Sequence, residues 1–155
     1  MKDAIKKLRK FHRKHNFPLD QDLTTAKDDV AIASIKEVAC LILTISQKLE
    51  DTLAETKSSA VRRAQLMTEE LGEALEGLAN QDEEKLLDGL ADSIFVNIGT
   101  AESYGLPIYE ALIEVCNSNL TKAARNESDL RLRDKGDNYV APDLKAILRS
   151  RKCKG

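Results

Sequence analysis

The sequence predicts an all-α protein built as an antiparallel helical bundle, on three observations. Seven glycines and three prolines in 155 residues leave few breaks in the chain. Aromatic residues make up 4% of it, and no stretch alternates apolar with polar residues as a strand would. Apolar residues recur instead at three- and four-residue spacings through the long segments between the breaks.

A first helix, over residues 3–16, ends near Asn16-Phe17-Pro18, because proline disfavours helix in the residue before it. The polar run LDQDLTTAKDD leads into residues 29–54, an apolar-patterned segment carrying Val30, Ile32, Ile35, Val38, Leu41, Ile42, Ile45, Leu49 and Leu53. Ser58 or Ser59 caps a helix over 59–79, and Asn80-Gln81-Asp82 breaks it and offers the next cap. The fourth helix, 83–104, stops at Tyr104-Gly105. Pro107 suits the first turn of a helix over 107–124. The polar stretch RNESDLRLRDKGDNYV then precedes a short helix from Pro142. No internal repeat is visible.

Composition excludes several classes. A net charge of -2 provides no global field toward a nucleic-acid polymer or an anionic membrane. The basic start (Lys2, Lys6, Lys7, Arg9, Lys10, Arg13, Lys14) reads as a solvated helix face. Its lack of a following apolar core excludes a signal peptide, and no apolar run approaches the ~20 residues of a membrane span. Cys40, Cys116 and Cys153 are odd in number and irregular in spacing, which fits a reducing, cytoplasmic setting better than a disulfide framework. His12 and His15 stand at a zinc-capable spacing, yet no Cys or acid cluster lies near them, so they read as part of the basic surface helix. The absence of any Glu-x-x-His argues against a ferritin-like di-iron bundle.

The acidic residues carry the chemistry. On a wheel of the fourth helix, Leu86, Leu90, Ile94, Ile98 and Ala101 share a broad face. Asp88 and Asp92 lie opposite, among Ala91, Phe95, Val96 and Gly99, which predicts a helix packed on more than one side with its aspartates facing protein. On the preceding helix Ala60, Ala64, Met67, Leu71, Ala74 and Leu78 form a core stripe. Glu70 and Glu73 stand at its edge, while Glu69 and Glu76 point further out to solvent. A short turn between the helices aims Glu70, Glu73, Asp88 and Asp92 at one another. Carboxylates gathered in this way repel, and a hard divalent cation, Mg²⁺ or Mn²⁺, relieves the repulsion. A salt-bridge network using Lys85, Arg62 or Arg63 would relieve it too.

These residues also carry a resemblance. EELGEALEGL, LLDGLADSIFVNIGTAESYGLP and VCNSNLTK together resemble the MazG-like all-α nucleoside triphosphate pyrophosphohydrolases. That group shares a helical-bundle fold with phosphoribosyl-ATP pyrophosphohydrolase and the dimeric dUTPases. Its ExxE element is Glu70-Leu71-Gly72-Glu73, preceded by Glu69, and the last acid of its ExxD element is Asp92. Three residues before Asp92 stands Gly89 where the pattern has Glu, and the acid is Asp88, one residue earlier. FHRKHNFP is similar to the FHxxFGxP opening of a subset of the group, SNLTK (residues 118–122) to its SNMSK, and KGDNYVAPDL (135–144) to its KGxNYxxPDL tail. Residues 29–56 have no clear counterpart in the signature.

The resemblance implies one domain over residues 1–155, with a four-helix core, an extra helix and a C-terminal tail. N-terminal helices fall in 1–57, motif-bearing helices in 58–124 and the tail in 125–155. It implies hydrolysis of a nucleoside triphosphate to monophosphate and pyrophosphate, in nucleotide-pool house-cleaning, by a homodimer or homotetramer. Glu70, Glu73, Asp88 and Asp92 would hold Mg²⁺, or Mn²⁺, and Glu69 would serve as general base. Asn119, Lys122, Lys135 and Tyr139 would bind substrate, Asn119 and Lys122 reaching phosphate or sugar and Lys135 and Tyr139 closing over the nucleotide, Tyr139 by stacking on a base. Taken alone, Lys122 also suits an exposed helix end, and Tyr139 an anchoring aromatic. Two other classes stay open: a helical interaction module, and a nucleotide-binding relative without turnover, which Gly89 keeps in play.

Overall fold

The computed structural model describes residues 1–23, 28–123 and 135–152. The connection at 24–27, most of the polar stretch before Lys135 and Cys153 lie outside the described residues. Among those described there are six helices and no strand: α1 (Lys2–Lys14), α2 (Asp29–Thr56), α3 (Ser59–Asn80), α4 (Glu83–Ser103), α5 (Ile108–Thr121) and α6 (Leu144–Lys152). The chain divides into two compact units. One comprises Asp22–Ser103, and the other comprises Met1–Gln21 with Tyr104–Gly155.

In the first unit each helix begins on a cap that satisfies its free amides. Asp28 accepts from the Val30 and Ala31 amides, both at 3.1 Å, and Ser58 accepts from the Val61 amide at 3.4 Å. Asp82 accepts from the Lys85 amide at 3.0 Å. Helices α2 and α3 both end on a left-handed residue, Lys57 (φ 53°) and Gln81 (φ 56°).

Helix α3 packs against α2 on one flank and α4 on the other, so the unit is a layer one helix thick. Glycine permits the close approach. A Cβ at Gly72 would lie 2.6 Å from Leu43 Cδ2 on α2. One at Gly77 would strike the backbone of Leu86, and one at Gly89 would lie 2.6 Å from the Ala74 nitrogen. Ala74 and Ala79 are buried beside them.

This arrangement corrects the expectation that α4 packs on more than one side. It is an edge helix, so Leu90 and Ile94 of its predicted core face are 49% and 55% exposed. Projection along the helices places both on one face of the layer with Val38, Leu41 and Ile45 of α2 and Met67, Leu71 and Leu78 of α3. All of these are exposed. Glu69, Glu73, Asp88 and Asp92 occupy the opposite face.

The second unit holds α1 against α5 and α5 against α6. Its joints are polar. Lys14 Nζ donates to the carbonyls of Leu120 and Lys122, both at 2.7 Å, where the end of α5 exposes free acceptors. Lys7 Nζ donates to Asn117 at 2.6 Å, and Arg9 pairs with Asp20 at 2.8 Å. The basic face of α1 is therefore partly spent inside the unit. His15 departs further from a surface reading. It is fully buried at 0% exposure, its ring lies 4.4 Å from that of Phe11, and among the described residues neither ring nitrogen has a hydrogen-bond partner. Burial, and then the charges of Lys14 and Lys122, hold its pKa below the ordinary 6.5.

Candidate active site

The acids of α3 and α4 make up the candidate site. Glu70 lies on the flank of α3 that faces α4, and Glu69 and Glu73 project from the open face beside it. Antiparallel packing sets Asp88 and Asp92 on the same side of the layer. The electrostatics register the gathering: burial, then the charges of Asp92, Glu73, Glu69 and Asp88, push the Glu70 carboxyl above its usual 4.5. The charges of the other four predicted acids thus each bear on Glu70. Asp88 and Asp92 are exposed, not turned into protein as the wheel suggested, because nothing packs on the outer side of α4 within this unit. Asp88 also lines a concavity of about 510 Å³ with Asp82, Glu84, Lys85, Leu87 and Ala91.

Glu69 does not point to solvent. It is half-buried, and its carboxylate accepts from Gln65 Nε2 at 2.7 Å. Gln65 is itself buried, 3.4 Å from the Ser46 hydroxyl of α2, and its side-chain oxygen accepts from Arg62 at 3.1 Å. One glutamine therefore ties α2 to α3 and fixes the orientation of Glu69. Sequence reasoning missed it. The available signal was a long amide on a flank otherwise made of Val61, Thr68, Gly72 and Ala79. Glu76 is taken out of the cluster by Lys85, at 2.6 Å.

The residues present fit a hard divalent cation. Among the described residues no three His, Cys, Asp or Glu side chains already converge on a metal position. Yet the donors are all carboxylate oxygens, and no ion pair among the described residues neutralises Glu70, Glu73, Asp88 or Asp92. Like charges standing near one another without a counter-charge are what such a cation draws together.

Gly89 explains the departure from the ExxD spacing. Its close approach to Ala74 leaves no room for a side chain, so the acid stands on the neighbouring open position, Asp88.

The other predicted residues belong to the second unit. Ser118 Oγ donates to the Val140 carbonyl at 2.7 Å, and the Val140 amide donates to Thr121 Oγ1 at 2.8 Å. SNLTK and KGDNYVAPDL thereby hold each other. Lys122 is the residue after α5, not on it, and lines a cavity of about 410 Å³ with Lys14, Thr121, Ala123, Gly136, Asp137 and Asn138. Asn119 is half-buried on α5 outside that lining. Lys135 Nζ lies 4.8 Å from the centre of the Tyr139 ring, so these two predicted binding groups engage each other.

By fold the chain is an all-α protein, and the carboxylates of two adjacent antiparallel helices share one side of its layer, the build of an acid-lined helical hydrolase. The family model for phosphoribosyl-ATP pyrophosphohydrolase matches residues 38–119, more than half of the chain, and the chain belongs to that family. The match bears out the MazG-like resemblance and makes the protein a hydrolase of pyrophosphate bonds in nucleotides. The matched span holds all five acids and Asn119, and ends before Lys122, Lys135 and Tyr139. No curated protein matches the chain, and no solved structure does. Among the described residues no helix is long and apolar enough to cross a membrane.

Proposed function

We propose that the protein hydrolyses a nucleoside triphosphate to the monophosphate and pyrophosphate with Mg²⁺, or Mn²⁺, held by Glu70, Glu73, Asp88 and Asp92. The single observation that carries this is the placement of Glu70, Glu73, Asp88 and Asp92 along one side of two adjacent antiparallel helices, with no ion pair to any of them among the described residues, in a chain whose family acts on pyrophosphate bonds. The bound cation would neutralise phosphate charge and make a coordinated water more acidic. Hydrolysis adds a water oxygen to the α-phosphorus and breaks its bond to the α–β bridging oxygen. Pyrophosphate leaves, and the water's proton passes to a carboxylate. Glu69 suits that last role, since Gln65 donates to one of its oxygens and so orients the carboxylate. Asn119, Lys122, Lys135 and Tyr139 belong to the second unit, and this reading rests on the acids of the first.

Pyrophosphate release should depend on Mg²⁺ and fall about a thousand-fold or more in Glu73→Gln, several kcal/mol of lost charge stabilisation. Turnover unchanged by that substitution, or by chelation, would sink the reading.

A second copy of the chain covers the apolar face of the α2–α4 layer. The face spans three helices at ~9 Å spacing over about three turns, roughly 500 Å² per copy and ~1,000 Å² in a pair, the lower end of a stable interface. Light scattering should give at least twice the 17.2 kDa chain mass, and Leu71→Glu should halve it. A monomeric wild type would refute the self-association.

A further inference from the structure

The register of α3 against α4 places a cation on the acidic side of the layer, and we infer that Arg63 binds the terminal phosphate of the substrate, the end that leaves as pyrophosphate. This rests on the proposed hydrolysis. Arg63 stands seven residues before Glu70, and Gly99 seven after Asp92. Helices that run antiparallel keep such pairs level, so Arg63 faces Gly99 as Glu70 faces Asp92, two turns or about 10 Å further along the same groove. The contact is direct: a guanidinium nitrogen, Nη1, lies 3.5 Å from where a Cβ on Gly99 would sit. Gly99 shares the open face of α4 with Asp88 and Asp92, so the guanidinium lies over that face. Arg62, its neighbour, is engaged by Gln65. Arg63 is half-buried, and among the described residues it forms no ion pair. An arginine with acids nearby, held by packing and left unpaired by them, retains its fork of donors for an anion. Phosphate oxygens match that fork in two-point geometry. A polyphosphate anchored by a cation at the acids would extend along the groove toward it.

The test is calorimetric titration of the full chain with pyrophosphate in Mg²⁺, together with steady-state kinetics on a nucleoside triphosphate. Arg63→Gln should weaken pyrophosphate binding and raise KM about ten- to a hundred-fold, the loss of a charge-assisted contact. Magnesium affinity without nucleotide should not change. Gly99→Leu, which displaces the guanidinium and leaves the charge, should reproduce the loss. Arg63→Lys should fall between, since a point charge keeps attraction but not the paired bonds. It also serves if Arg63→Gln does not fold. Wild-type pyrophosphate affinity in Arg63→Gln, or in Arg63→Lys should that be the only folded variant, would overturn the assignment. If turnover still required Glu73, the acid site would stand without Arg63. A wild type that binds neither Mg²⁺ nor pyrophosphate would overturn both.

Discussion

In the α2–α4 layer the helices meet through Gly72, Ala74, Gly77 and Gly89; in the α1–α5–α6 unit they meet through Lys14, Lys7, Ser118 and Thr121 reaching oxygens and amides across the joint. Small residues bring backbones together, and the side chains beside them are then fixed by the helices themselves. Carboxylates placed on such helices can be held near one another against repulsion, because the packing, not the charges, sets their spacing. The polar joints work differently. They satisfy the free carbonyls at the end of α5 and tether the tail, and the groups so used are no longer free to bind substrate. The contrast shows why the acids can stand together unpaired in this structure, while Lys14, Ser118 and Thr121 are occupied within their own unit and Lys135 and Tyr139 with each other.

The sharpest way to break this comparison is Gly89→Glu, which restores the family spacing of the acids. If packing sets the site, the new side chain forces α4 off Ala74 and costs about 3 kcal/mol, an overpacking penalty, without gain in activity. Chemical denaturation and Mg²⁺-dependent turnover measure both. A stable, more active variant would show that the close approach matters less than the ligand spacing.

A smaller effect separates the units by pH. The raised Glu70 carboxyl is ionised less readily in the folded protein than in the unfolded chain. Its penalty appears as pH rises above about 4.5, and Mg²⁺ should remove it. His15 is held below 6.5, so the unfolded chain takes up its proton first and stability falls as pH drops through and below that value. Metal-free Glu70→Gln should raise the melting temperature at pH 8 by about 2–4 °C, and His15→Leu should flatten the acid limb between pH 6.5 and 5. Parallel pH profiles in wild type and both variants would show that neither burial matters.

Much of the fold was legible because its signals are local. Asp28, Ser58 and Asp82 cap helices whether or not anything packs on them, and the helix ends fall within a few residues of the expected ones. The ExxE spacing put Glu70 and Glu73 on one side of α3 for the same reason. What escaped was burial. A wheel shows that Leu90 and Ile94 share a face, but not whether that face is covered. It also placed Asp88 and Asp92 inside when they are exposed. Gln65 and His15 escaped because each is polar in sequence and buried only once the chain folds, Gln65 against Ser46 of α2 and His15 against the Phe11 ring.

The sequence by itself determined the helices, their caps and which acids share a turn, since hydrogen bonds within a few residues and the 3.6-residue period depend on nothing distant. Tertiary structure decided which flank of α3 meets α4, and so why Gly89 stands where an acid was expected. It also decided which charges remain unpaired. Those depend on the distance between helices, and the contacts that set that distance join residues far apart in the chain.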